Sequence, residues 1–128
     1  MLRLINATEA KPGTTIMVDG QAVTVRTNDI SKTGKHGASK CRMECVEIFS
    51  GKKKIVAVPG HERFEVPMVE KKRAQVLSVG DTTASVMDLE SYETTDMTFM
   101  EEIKPELAPE KQVEYWDIEG KKVIMRVF

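Results

Sequence analysis

One lysine is set apart from the other cations of this chain by its neighbours. In Ser31-Lys32-Thr33-Gly34-Lys35-His36-Gly37, Lys35 stands between Gly34 and Gly37 at what reads as the tip of a β-hairpin. Glycines on both sides remove bulk and tolerate positive φ, so the backbone turns sharply and another macromolecule can come close to the amine. Such a lysine is presented rather than packed. A phosphate-binding loop is excluded, because that motif needs Gly five residues before the Gly-Lys pair and Ser or Thr straight after the lysine. The chain has Asp29 and His36 there. Use of Lys35 as an enzymatic nucleophile needs a desolvated pocket to lower its pKa, and a loop of glycines and lysines offers none.

The other reactive side chains are few. Cys41 and Cys45 lie in an alternating apolar and polar segment. In a strand their Cα atoms are about 13 Å apart, beyond disulfide reach. The only histidines are His36 and His61, so no Cys or His pairs at metal-ligand spacing accompany the thiols. Buried, reduced thiols are expected.

Charge concentrates around the lysine. Residues 26–42 carry Arg26, Lys32, Lys35, Lys40 and Arg42 against Asp29 alone, although the whole chain has a net charge of −1. The balance shifts along the chain, from 11 Lys/Arg and 8 Asp/Glu in residues 1–70 to 8 and 12 in residues 71–128. A basic tip on a nearly neutral body suits docking to phosphates, with affinity that falls as salt rises. Arg26 and Arg42 also read simply as outward-facing strand residues.

The elements that must position this tip are strands. With 128 residues, 41% hydrophobic and 30% charged, the composition is that of a soluble globular protein. No window approaches a membrane span and no signal-like apolar run follows the N-terminus, which points to the cytoplasm. Short alternating runs separated by turn residues give the all-β pattern. Residues 14–18 and 21–26 flank Asp19-Gly20, a type I′ hairpin signal. Cys41, Met43 and Cys45 alternate with Arg42 and Glu44, and the phase then slips to Val46 and Ile48, which predicts a bulge or bend near Cys45-Val46. Strands are expected at 54–58 and through Phe64 and Val66, with Pro67 ending the last. Five or six short strands in under 70 residues suit a small, strongly bent barrel.

A boundary at residues 67–70 divides the chain into domains 1–68 and 69–128. The second should contain strands at 74–79, 84–89, 92–97, 112–118 and 121–128. A helical turn at 99–103, stopped by Pro105, separates the third from the fourth. Five strands with a helical piece at that point make the OB-fold arrangement. Tyr115 and Trp116 are adjacent in one strand, so one of them must face the core. Aromatics are scarce, at 5%, and no obvious stacking platform emerges.

From Ser31 to Gly37 the chain closely resembles the modification loop of the translation factor 5A family, the hypusine-containing factors. The likeness continues through Val66-Pro67-Met68-Val69-Glu70-Lys71, Ala74-Gln75-Val76-Leu77-Ser78-Val79 and Val86-Met87-Asp88, and the chain looks like an archaeal member. The resemblance implies an N-terminal SH3-like barrel followed by a C-terminal OB-fold barrel. It also implies that Lys35 accepts an aminobutyl group from spermidine, through deoxyhypusine synthase, to become deoxyhypusine or hypusine. No other cofactor is implied. Ser31, Lys32, Thr33, Gly34, His36, Gly37, Ala38, Ser39 and Lys40 would form the loop that the modifying enzyme and RNA contact. One departure is that Ala38-Ser39 stand where relatives commonly carry Ser-Ala or His-Ala, which keeps the loop thin but moves the hydroxyl by one position.

The resemblance further implies a ribosome-bound factor that is not an enzyme, acting as a monomer in the cytoplasm without a membrane. Such a factor occupies the exit-site region and extends the modified lysine toward peptidyl-tRNA, promoting peptide-bond formation on ribosomes stalled at sequences such as polyproline. Lys32 and Lys40 would meet RNA phosphates, while His36 either stacks on a base or ribose or is a solvent-exposed bystander. The alternative is an unmodified, general RNA-binding OB/SH3 protein working through Lys71-Lys72-Arg73.

Overall fold

The computed structural model describes residues 3–32 and 39–128. The chain divides into two compact units, with the division between Pro67 and Met68. Among the described residues no helix is long and apolar enough to cross a membrane.

The first unit begins with β1 (Arg3–Asn6) and a 3₁₀ turn (Ala7–Glu9). β2 (Thr15–Val18), β3 (Gln21–Lys32), β4 (Ser39–Glu47) and β5 (Lys53–Pro59) then form an antiparallel meander. β6 (Arg63–Val66) returns to pair with β1 as a second, two-stranded sheet. One core joins the two sheets. Ile5, Ile16, Val23, Val25, Met43 and Val56 are buried in it, and Phe64 and Val66 of β6 pack against it. This is the SH3-like barrel expected from the sequence.

Local chemistry explains the turns. Asp19 and Gly20 join β2 to β3 with φ of 50° and 77°, the two left-handed residues that a type I′ turn requires. Lys54 Nζ donates to Asp19 Oδ2 at 2.7 Å and so ties that turn to β5.

The phase slip at Cys45-Val46 has a different origin from the one expected. β4 pairs with β5 in unbroken register from Lys40↔Pro59 to Val46↔Lys53. The extra residue lies on the facing strand, where Val25 pairs with Cys45 and Thr27 with Glu44, so that exposed Arg26 is the residue inserted between them. The bulge therefore re-aims β3, and beyond it Thr27 and Asp29–Lys32 are exposed while β4 stays backed by β5.

The second unit is a closed five-stranded barrel with strand order β10-β11-β9-β8-β7. Its strands are β7 (Val69–Val79), β8 (Thr83–Asp88), β9 (Thr94–Phe99), β10 (Gln112–Ile118) and β11 (Lys121–Val127). β10 closes onto β7 in antiparallel register, and β11 runs parallel to β9 at Val123↔Thr98. Ala74, Val76, Val86, Val113, Tyr115, Val123 and Ile124 fill the interior. This is the OB-fold barrel.

Three expectations change here. β7 begins within the stretch read as the boundary, where Val69 pairs with Ile118 and Glu70 with Asp117. Tyr92 is not in a strand but holds a left-handed turn at φ 62°, and β9 starts at Thr94. Pro105 lies inside a 3₁₀ helix at Glu101–Glu106 rather than stopping one. A segment this short needs few i→i−3 bonds, so the missing N–H costs little.

Asp88 organises one end of this barrel. Its Oδ1 accepts from the backbone N–H groups of Glu90 at 2.8 Å and Ser91 at 2.9 Å, while Oδ2 accepts from the Tyr115 hydroxyl. The Tyr115 hydrogen bond, followed by the Ser91 N–H, holds the Asp88 carboxyl down to about 2. Burial, then the Asp88 carboxylate, pushes the phenol of Tyr115 up. A carboxyl depressed in the folded state stabilises it at pH above the unfolded value, near 3.9, and that stabilisation is lost as pH falls toward 2. Asp88→Asn should therefore flatten the acid loss of stability between about pH 4 and pH 2. At neutral pH it should cost about 1 kcal/mol, since solvent reaches the group. Denaturant titrations across that pH range check this, and an identical pH profile in the variant would remove the assigned role.

A candidate functional site at the β3–β4 hairpin

The candidate site is built on the hairpin of β3 and β4. Its ladder continues outward from Val23↔Glu47 to Ser31↔Lys40 and Lys32↔Ser39. The inner residues Ala22, Val23, Val25, Cys41, Met43 and Cys45 are buried, whereas Asp29, Ile30, Ser31, Lys32, Lys40 and Arg42 are exposed. Ile30 marks the transition. It pairs with Cys41, yet Ile30 is 50% exposed and Cys41 only 1%.

Of the residues singled out in the sequence, Ser31, Lys32, Ser39 and Lys40 form the last two pairs of this ladder. Thr33, Gly34, Lys35, His36, Gly37 and Ala38 lie outside the described residues. Cross-strand partners share a face, so Lys32 with Ser39 points to one side of the ribbon and Lys40 with Ser31 to the other. Lys40 shares its face with Arg42, whose guanidinium lies 3.5 Å from Glu44. The two lysines therefore address different surfaces of any partner that receives the tip.

The base of the arm is anchored by residues that the sequence did not single out. Asn28 Nδ2 donates to the carbonyls of Ala7 and Ala10, at 2.9 Å each, fastening β3 to the first 3₁₀ turn. The Gly60 N–H donates to the Ser39 carbonyl at 2.7 Å, and the Gly60 carbonyl accepts from the Thr8 N–H at 3.3 Å. A side chain at Gly60 would force its neighbours to shift. A Cβ there would collide with Ser39 Oγ and stand 2.9 Å from Thr8 Cγ2. The turn after β5 thus closes onto the first residue of β4, directly beside the outermost strand pair. Asn in the middle of a strand is a weak signal that could have been noticed, since Asn is depleted there. The close approach at Gly60 had no sequence signal beyond the Pro59-Gly60 turn.

The remaining chemistry near the arm is quiet. Cys41 and Cys45 are both free and buried, and burial pushes both thiols up, so neither is a ready nucleophile. No metal-ligand cluster occurs among the described residues. An open groove of about 590 Å³ runs beside the arm between Ile30, Ala57, Val58 and Pro59, with Lys40 and Arg42 on its margin. Exposed Lys32, Lys40 and Arg42 suit this end of the hairpin to binding anions.

Known proteins share both units. Residues 3–61 match the family described as "Translation initiation factor 5A-like, N-terminal", and residues 68–127 match "Eukaryotic elongation factor 5A hypusine, DNA-binding OB fold". Translation initiation factor 5A of Metallosphaera sedula is 42% identical over 122 residues, covering 93% of this chain and 92% of its own length. That of Pyrococcus horikoshii is 35% identical over 127 residues, with 96% and 92% covered. The solved structure of eukaryotic translation initiation factor 5A from Methanococcus jannaschii superposes with a TM-score of 0.82 at 33% identity, covering 99% of this chain and 95% of that one. An SH3-like barrel followed by an OB-fold barrel is the architecture of a two-domain translation factor. The chain belongs to the translation initiation factor 5A family.

Proposed function

We propose that this chain is a ribosome-binding translation factor whose Lys35, once it carries the aminobutyl group, promotes peptide-bond formation on stalled ribosomes by positioning peptidyl-tRNA. Deoxyhypusine synthase transfers that group from spermidine, and the factor works in the cytoplasm without catalytic chemistry of its own. The observation that carries the reading is the anchored arm. A ladder running past the last buried pair to Lys32↔Ser39 gives residues 33–38 a firm base clear of the barrel core. A rigid base is what positioning requires, because ordering a mobile substrate removes an entropic barrier only if the group that orders it is itself fixed. The aminobutyl extension adds reach and a second cationic nitrogen for phosphate or ribose contacts.

The two faces of the ribbon set the experiment. Lys32→Ala and Lys40→Ala should each weaken ribosome association and lower the magnitude of its log–log salt slope by roughly one unit. Their combination should lower it by about two, because the lysines face different surfaces. Charge removal at Lys121 and Lys122, at the start of β11, should matter less. Co-sedimentation with ribosomes over a range of salt reads the slopes, and equal losses at both places would assign the RNA-facing surface to the wrong unit.

A further inference from the structure

The second unit is acidic overall, since residues 71–128 hold 8 Lys/Arg against 12 Asp/Glu. Even so, the outward face of β7, β10 and β11 gathers Lys71, Arg73 and Arg126 around two aromatic rings. The Lys71 ammonium lies 4.7 Å from the centroid of Trp116. The guanidinium groups of Arg73 and Arg126 lie 4.3 and 5.0 Å from that of Phe128. Glu114 is the carboxylate that joins them. It accepts from the Trp116 indole N–H at 3.0 Å and lies 3.6 Å from Arg126. Register explains the gathering, since Arg73 pairs with Glu114, Lys71 with Trp116 and Glu114 with Arg126.

The face through which OB-folds usually bind oligonucleotides, on the second and third strands, is unsuited to that task here. β8 and β9 turn outward Thr83, Ser85, Met87, Thr94, Asp96 and Thr98, in which Ser85 bonds Asp96. Those six residues include no cation and no aromatic ring.

We propose that the β7–β10–β11 face is a second RNA attachment site, taking single-stranded RNA with its phosphates on Lys71, Arg73 and Arg126 and its bases on Trp116 and Phe128. Cations interleaved with aromatic rings are the shared chemistry of single-strand binding surfaces. Lys71 now covers one face of the indole, but an exposed cation–π contact is weaker than base stacking on the same ring. An arriving base therefore displaces the ammonium onto the adjoining phosphate. The neighbouring groove of about 320 Å³ is lined by Asp88 and Glu90 as well as Lys71, Lys72 and Arg73, so the phosphate stays on the outward face with Lys71, Arg73 and Arg126. The site stands whether or not Lys35 is modified, and it goes beyond the role given to the arm.

Trp116 is the only tryptophan of the chain, so its fluorescence reports this face directly. A short, fluorescein-labelled oligouridylate titrated into the whole unmodified chain carrying Lys32→Ala and Lys40→Ala, so that the arm offers no competing phosphate contacts, should quench Trp116 saturably. The midpoint should coincide with binding followed by anisotropy. Arg73→Gln with Arg126→Gln should raise the quenching midpoint about tenfold and lower the salt slope by about two units, with the unfolding temperature kept. Lys35→Arg should leave the midpoint unchanged, which separates failure here from failure of the modification reading. RNA bound without quenching would overturn the proposal. So would an unchanged midpoint in the arginine variant, or equal quenching by polyglutamate at matched salt, which would make the face a docking surface for acidic protein.

Discussion

Lys35→Arg is expected to fold and melt like the parent chain yet to lose synthesis through proline runs, on the order of a hundredfold, in a reconstituted translation system. Arginine keeps the charge and nearly the length of lysine, so contacts that need only a cation survive. On the proposed function, it lacks the primary amine that would receive the aminobutyl group, so the extension is never made. A misplacement of about an ångström from productive geometry costs rates of this size, and the missing extension is several times longer. The variant should still bind ribosomes with a salt slope close to that of unmodified parent chain, because Lys32 and Lys40 remain. Full activity of Lys35→Arg would show that the tip works as a plain cation.

The second large effect is expected at Asn28, which no reading of the loop itself would choose. Asn28→Ala removes both hydrogen bonds to Ala7 and Ala10, two residues with no solvent exposure. Buried carbonyls that lose their donors cost about 1–3 kcal/mol each, and the Ala10 N–H still reaches the Ala7 carbonyl at 3.2 Å, so about 2–3 kcal/mol in total is expected. In a unit of this size that lowers the unfolding temperature by roughly 10–20 °C. Asn28→Asp should be worse near neutral pH, since a carboxylate would face two carbonyl oxygens. Calorimetry should locate the loss in the first unit, and a change below about 0.5 kcal/mol would mean the anchor is dispensable. Because Asn28 also holds the root of the arm, the same variants should slow modification of Lys35 even at temperatures where the barrel stays folded.

How far the sequence carried the structure can be seen at β3. Its inner half was legible, because Ala22, Val23 and Val25 are apolar and Asp19-Gly20 announces the turn. Its outer half was not. Thr27, Asn28, Asp29, Ser31 and Lys32 lack alternation, since they leave the core and have no apolar face to show. The periodicity that reveals strands is a signature of half-burial, so an arm in solvent carries little of it. β4 remained readable further out because Cys41, Met43 and Cys45 keep one face on the core.

The bulge illustrates a different limit. A change of phase in β4 correctly signals that two strands fall out of step, but the strand that holds the extra residue is decided by pairing, which one strand's sequence does not contain. Lys71-Lys72-Arg73 similarly read only as a basic patch. In the fold it is a strand whose alternate side chains lie over Trp116 and Phe128. The glycine-flanked lysine is a signal of local sequence that lies outside the described residues, whereas Asn28 and Gly60 act through partners 18 to 52 residues away and depend on the folded chain.

Mass spectrometry of the proteolytic peptide that spans Lys35, taken from protein purified from its native source, decides whether the arm exists to carry a modified lysine. Lys35 should carry the mass of an aminobutyl group, with or without one added oxygen, and fragment ions should place it on that side chain. An unmodified Lys35 in active native protein, or the same group found on Lys32 or Lys40 instead, would contradict that role.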